Sequence, residues 1–206
     1  MEEKVYFDGS FGKICGVLHK VNQDPEIVIV VHGFSSTKDR GALNVAQALD
    51  QSGINVLRID LDNRGESELD FEKRASIPNY IKQIESSIKY CKENNYSGIN
   101  LLGTSYGGLA VFATALIHPE LKKLIMRAPV VDYKEQAIWN YGKEKTEEYR
   151  KQGYVPYFSN TTKENLKVTF DFIEKSYPYS MYLRAKEIQI PTLIIIFSHL
   201  FLVMIL

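Results

Sequence analysis

Ile99-Asn100-Leu101-Leu102-Gly103-Thr104-Ser105-Tyr106-Gly107-Gly108-Leu109-Ala110-Val111-Phe112-Ala113-Thr114-Ala115-Leu116 is the stretch on which the reading of this chain turns. A short apolar run meets a glycine-bounded turn and opens directly into a helix-like run. A serine sits at the apex. The five-residue pattern G-x-S-x-G alone says little, since roughly one chain in fifteen of this length carries it by chance at average residue usage. Set between a strand and a helix it becomes a strained turn that lifts a hydroxyl above a sheet. Ser105 is therefore the candidate covalent nucleophile.

The flanking chain alternates β-branched runs with amphipathic stretches, which predicts an α/β fold with a mostly parallel sheet and helices on both faces. Residues 4–8 and 12–21 read as an antiparallel hairpin turned at Gly9-Ser10-Phe11-Gly12. Glu26–Val31 is an unbroken apolar run, as expected of a strand buried on both faces. Residues 41–52 carry Leu43, Val45, Ala46 and Leu49 at helical spacing, and 78–95 carry Tyr80, Ile81, Ile84, Ile88 and Cys91 on one face. Further strands are read at 55–60, 121–128 and 191–196. Between Pro129 and Ile190 the alternation stops and aromatics crowd in, among them Tyr133, Trp139, Tyr157, Phe170 and Phe172. A plain loop of that length is uncommon, so a lid over about 134–187 is expected within a single domain spanning 1–206.

Composition narrows the function classes. Lys+Arg and Asp+Glu are both 25, giving a net charge of zero and no nucleic-acid footprint. The basic residues are scattered and read as a solvated surface. Cys15 and Cys91 lack metal-ligand spacing and read as reduced structural thiols. The acidic start Met1-Glu2-Glu3-Lys4 shows no leader peptide, so a cytoplasmic protein is expected.

Acyl transfer needs a nucleophile, a base, an acid to orient the base, and donors for the oxyanion. The amide after the serine, on Tyr106, is one donor. His32-Gly33-Phe34, directly after the strand 26–31, offers a second, from Phe34.

His32-Gly33-Phe34, then Asp60-Leu61-Asp62-Asn63-Arg64-Gly65-Glu66-Ser67, then Gly103-Thr104-Ser105-Tyr106-Gly107-Gly108 resemble the α/β-hydrolase superfamily in order and spacing. Small esterase or acylaminopeptidase-like serine hydrolases are the most similar, including the cinnamoyl and feruloyl esterases. The second motif is similar to the family turn D-x-x-G-x-G-x-S, with Asn63 where a glycine is usual. The resemblance implies a serine hydrolase acting on a small-molecule carboxylic ester through a seryl acyl-enzyme. It implies no metal and no cofactor. In that superfamily the histidine of the oxyanion turn is structural and the triad runs Ser, acid, His, so His32 is not expected to be the base. His19 is expected at the surface, His118 at the end of the helix after Ser105, and Asp60 and Asp62 in turns. Some relatives place the acid after the strand 121–128, which makes Asp132 a possible triad acid; otherwise it is a hinge or loop carboxylate. Alternatives are an amidase or peptidase of the prolyl type and a non-catalytic hydrolase-fold binding protein.

Resembling enzymes continue after their equivalent of 191–196 with an acidic turn, a helix, a last strand and a loop bearing the catalytic histidine. Here the chain reads Phe197-Ser198-His199-Leu200-Phe201-Leu202-Val203-Met204-Ile205-Leu206. The abrupt loss of pattern favours a truncated or frame-shifted product, in which the last helix–strand unit is missing. A membrane anchor fits less well, because Leu193 to Leu206 falls short of the roughly eighteen residues a span requires. A rearranged end with His199 as base is the third reading. Without a base, Ser105 would be a weak nucleophile. An open sheet edge and an apolar tail predict self-association.

Overall fold

The computed structural model describes residues 1–159 and 163–196, together with the backbone of 197 and 202–205. In chain order it forms β1 Glu2–Gly9, β2 Gly12–His19, β3 Glu26–Val31, α1 Leu43–Gln51, β4 Val56–Ile59, α2 Phe71–Arg74, α3 Ile77–Glu93, β5 Gly98–Thr104, α4 Tyr106–Ala115 and β6 Lys123–Arg127. An insertion follows, with α5 Tyr133–Tyr141, α6 Lys143–Gln152, the hairpin β7 Tyr154–Ser159 and β8 Glu164–Thr169, α7 Asp171–Glu174 and α8 Met181–Arg184. β9 Thr192–Phe197 and β10 Leu202–Ile205 return to the main sheet.

That sheet has the order β1-β2-β4-β3-β5-β6-β9-β10. β4, β3, β5, β6 and β9 run parallel, and β1–β2, β2–β4 and β9–β10 pair antiparallel. Period-2 side-chain alternation explains the two-faced burial. Ile27, Ile29 and Val31 join the core that includes α3 and α4, while Val28 and Val30 pack with Ala42 and Ala46 on the α1 side. α4 is buried along its whole length. The five apolar residues read on one face of α3 are all buried, and the β1–β2 turn brings Gly9 opposite Gly12 as its glycines suggest. Among the described residues no helix is long and apolar enough to cross a membrane.

Three expectations need correction. The alternating Tyr154, Val155, Tyr157 and Phe158 form a β-hairpin, where the sequence suggested only an aromatic lid segment. His19 is fully buried, not at the surface: its Nδ1 meets Asp50 at 2.9 Å and its Nε2 accepts from Arg58 Nε at 3.0 Å. The basic residues are not all solvated, since Lys38 and Arg58 lie inside the protein.

Candidate active site

Ser105 joins β5 to α4 with φ +55° and ψ −120°, in the left-handed half of the map that side chains avoid. Such strain costs about 1–3 kcal/mol and persists only where the surroundings enforce it. The end of β6 does so. The Ser105 N–H donates to Arg127 O at 3.0 Å, and the Ser105 carbonyl accepts from Gly108 N at 2.9 Å and Val130 N at 3.1 Å. Two glycines let the turn close on its neighbour. A Cβ on Gly107 would lie 2.2 Å from the His32 carbonyl oxygen, and one on Gly33 would lie 3.3 Å from Ser105 Cβ. The turn after β3 and the turn after β5 are therefore in direct contact, as the two motifs require. Among the described residues no protein acceptor takes the amide of Phe34 or of Tyr106.

An aromatic cluster roofs this point. The Phe34 ring stacks on Phe172 of α7 at 4.6 Å, and Phe71, Tyr106 and Tyr157 approach it at 4.9, 5.4 and 5.5 Å between centroids. Tyr106 is fully buried, and its hydroxyl donates to Phe172 O at 2.7 Å. Burial pushes that phenol's pKa well above its ordinary value, so it acts as a neutral donor. Trp139, counted with the aromatics of the insertion, is instead 86% exposed.

The three described histidines are all engaged away from Ser105. His32 Nε2 accepts from Leu61 N at 3.0 Å, which leaves the proton on Nδ1 to donate to Gly33 O at 2.8 Å. This is the structural role expected of it. His19 is held by Asp50 and Arg58. His118 bridges Glu85 and Glu120, both at 3.0 Å, beyond the end of α4. His199 lies outside the described residues. Asp132 caps α5, accepting from Lys134 N and Glu135 N at 2.9 and 3.1 Å. Asp62 takes the Arg64 amide at 3.0 Å and the Tyr80 hydroxyl at 2.5 Å, and burial raises its pKa. Asp60 is also a turn residue, but it has a partner that sequence reasoning missed. Its carboxylate accepts from Lys38 Nζ at 2.9 Å. Nothing in the local pattern around Lys38 marks it as buried, because two of its counter-charges, Asp60 and Glu66, come from the segment after β4.

Beside the Ser105 turn an apolar groove of about 740 Å³ runs between β6, β9 and the insertion, past Met126, Pro129, Val131, Met181, Ile188 and Ile194. Pro129 also packs on the Ser105 turn, where its Cβ would lie 2.8 Å from a Cβ on Gly108.

The comparisons agree with this fold. Est1E from Butyrivibrio proteoclasticus with ferulic acid bound has a similar structure, with a TM-score of 0.78 at 22% identity over 92% of this chain and 77% of that one. GrgF, an α/β hydrolase from Penicillium sp. sh18, gives a TM-score of 0.72 at 19% identity over 94% and 79%. Mouse α/β hydrolase domain-containing protein 10 gives 0.68 at 16% identity over 95% and 89%. At such identities these likenesses speak for the fold. No curated protein matches the chain. The sequence model of one family, described as serine aminopeptidase, S33, matches residues 22–164, which is more than half of the chain and includes both turns and Ser105. With the strained serine turn, the sheet order and that match in hand, the chain belongs to the serine aminopeptidase, S33, family of α/β-hydrolase-fold serine hydrolases.

Proposed function

We propose that the chain hydrolyses carboxylic esters of small molecules through an acyl-enzyme on Ser105. The left-handed Ser105, set against two amides with no protein acceptor, carries this reading. The Ser105 hydroxyl attacks the ester carbonyl and loses its proton to a base. The Phe34 and Tyr106 amides hold the oxyanion, the alcohol departs, and water then cleaves the acyl-enzyme. His19, His32 and His118 are committed to other partners, and His199 is kept as the candidate base that the test below examines. Asp132 is retained as a candidate acid, although its carboxylate caps α5. The insertion serves as a lid, and the groove beside Pro129 receives an apolar acyl or alcohol group of moderate size. The ferulic acid bound by Est1E makes an aromatic acyl group a reasonable first substrate.

A fluorophosphonate probe tests the nucleophile. It should label the wild-type protein and not Ser105→Ala; equal labelling of the two would sink the assignment. His199→Ala should slow labelling about a thousandfold or more, as expected when a serine loses its base. The family description favours a second reading with the same serine and a different bond. Faster turnover of aminoacyl amides than of p-nitrophenyl esters would select it. A third reading, ligand binding without turnover, draws on the three engaged histidines; it predicts no labelling with ligand affinity unchanged in Ser105→Ala.

A further inference from the structure

Lys38 is 1% exposed, an unusual place for a lysine, and it lies four residues beyond Phe34. Its ammonium donates to Asp60 at 2.9 Å, Glu66 at 2.7 Å and Asp39 at 2.9 Å, while its own amide donates to the other Asp60 oxygen at 2.7 Å. Burial works against the charge, and these partners more than offset it, so the lysine pKa is raised. Asp60, with no exposed surface, also accepts the Glu66 amide at 2.8 Å. Arg58 donates to the Lys38 carbonyl at 3.2 Å and pairs with Asp39. Cys15, Asp60 and Glu66 come close enough together to suggest a metal site, but the space between the two carboxylates is taken by the Lys38 ammonium.

These contacts fix one particular segment. The turn after β3 starts at His32, which is tied to Leu61 N, and ends at Lys38, which is tied to Asp60. Between the two anchors stand Phe34 and Ser35, the latter in a left-handed conformation at φ +54°. Leu61 and Asp60 are consecutive residues at the end of β4. The turn is therefore clamped at both ends to one rigid strand terminus.

We infer that Lys38 is a positioning residue: through Asp60 it holds the 33–37 turn so that the Phe34 amide stays aimed at the oxyanion beside Ser105. The inference rests on the serine hydrolase reading for its catalytic consequence, and on the two-ended clamp for its structure. A preorganised donor needs no reorganisation as charge develops, and a left-handed Ser35 needs surroundings that enforce it. Asp60 thus grips the end of the turn twice, by the Lys38 backbone amide and by the Lys38 ammonium.

The test compares Lys38→Met and the milder Glu66→Gln with wild type. The second-order rate of fluorophosphonate labelling at Ser105 should fall about a hundredfold in Lys38→Met, the scale of a displaced oxyanion donor. It should fall roughly two- to fivefold in Glu66→Gln, which neutralises one of the two partly exposed partners. Affinity for a neutral alcohol product, which has no carbonyl oxygen for the Phe34 amide to hold, should stay within about twofold in both, a split that a purely structural role would not produce. Hydrogen exchange over residues 32–41 should quicken in both variants while β5 keeps its protection. That readout holds even for protein the probe fails to label. Wild-type labelling with unchanged rates in folded variants would overturn the inference alone. Absent wild-type labelling would overturn the hydrolase reading, and exchange over 32–41 unaltered in either folded variant would overturn the clamp. Should Lys38→Met not fold, Glu66→Gln decides by the same measures.

Discussion

The two sides of Phe34 are built from opposite materials. Beneath its backbone lies a lattice of hydrogen bonds from Lys38, Asp60 and His32, those of Lys38 to the Asp60 carboxylate being charge-assisted. Around its side chain lie four rings, from Phe71, Tyr106, Tyr157 and Phe172. Charged hydrogen bonds are directional and fix a position. Ring contacts are individually weak and tolerate several geometries. The difference teaches that the anchored part of the site is its peptide scaffold, while the surface contributed by the insertion is free to adapt to what it covers.

Removing the charged side should have the largest effect. Asp60→Ala leaves the Lys38 ammonium buried with two carboxylates that are about half exposed, and should cost about 4 kcal/mol in a urea melt together with most Ser105 labelling. Phe172→Ala should cost about 3 kcal/mol, since the ring is 1% exposed and touches three other aromatics. Its labelling rate should nonetheless stay within a few-fold of wild type. If the ring variant lost labelling as fully as the carboxylate variant, the contrast between the two sides would collapse. Tyr106→Phe removes one buried hydrogen bond across the boundary and should lower stability by about 1 kcal/mol.

The smallest effect lies far from Phe34 and serves as a control. Burial works against the charge on His118, but the hydrogen bonds and attraction of Glu85 and Glu120 together outweigh it, so its pKa is raised. Its contribution is therefore present below the ordinary histidine value of about 6.5 and is lost as pH rises through the folded value. Because both glutamates are partly exposed, the change between pH 6 and pH 8 should be about 0.5 kcal/mol. It should vanish in His118→Gln and leave the charged clamp untouched.

The contrast also explains what was readable in the sequence. The rings were visible as a group, and the strand–serine–helix turn was visible because local residues make it: an apolar run, flanking glycines and an apolar helix. The structural part played by His32 followed from the resemblance, in which the histidine of this turn is structural. Lys38, Arg58 and His19 were misread because their partners are distant, Asp60 for Lys38 and Asp50 for His19. Long-range pairs leave no periodicity behind. The β7–β8 hairpin is hidden for a related reason: Pro156 weakens the strand signal, and β8 packs against α2, which is distant in the chain. β10 was unreadable because an apolar run alone does not reveal a strand that turns back against β9.

Tyr106 carries one further consequence. Its hydroxyl is fastened to Phe172 in the insertion, while its peptide group belongs to the turn that presents Ser105. One residue is thus shared by the two halves of the molecule. Thermodynamic linkage is reciprocal. Whatever tightens the insertion onto Tyr106 also steadies that peptide group, and an anion bound there must, to the same extent, strengthen the grip of the insertion.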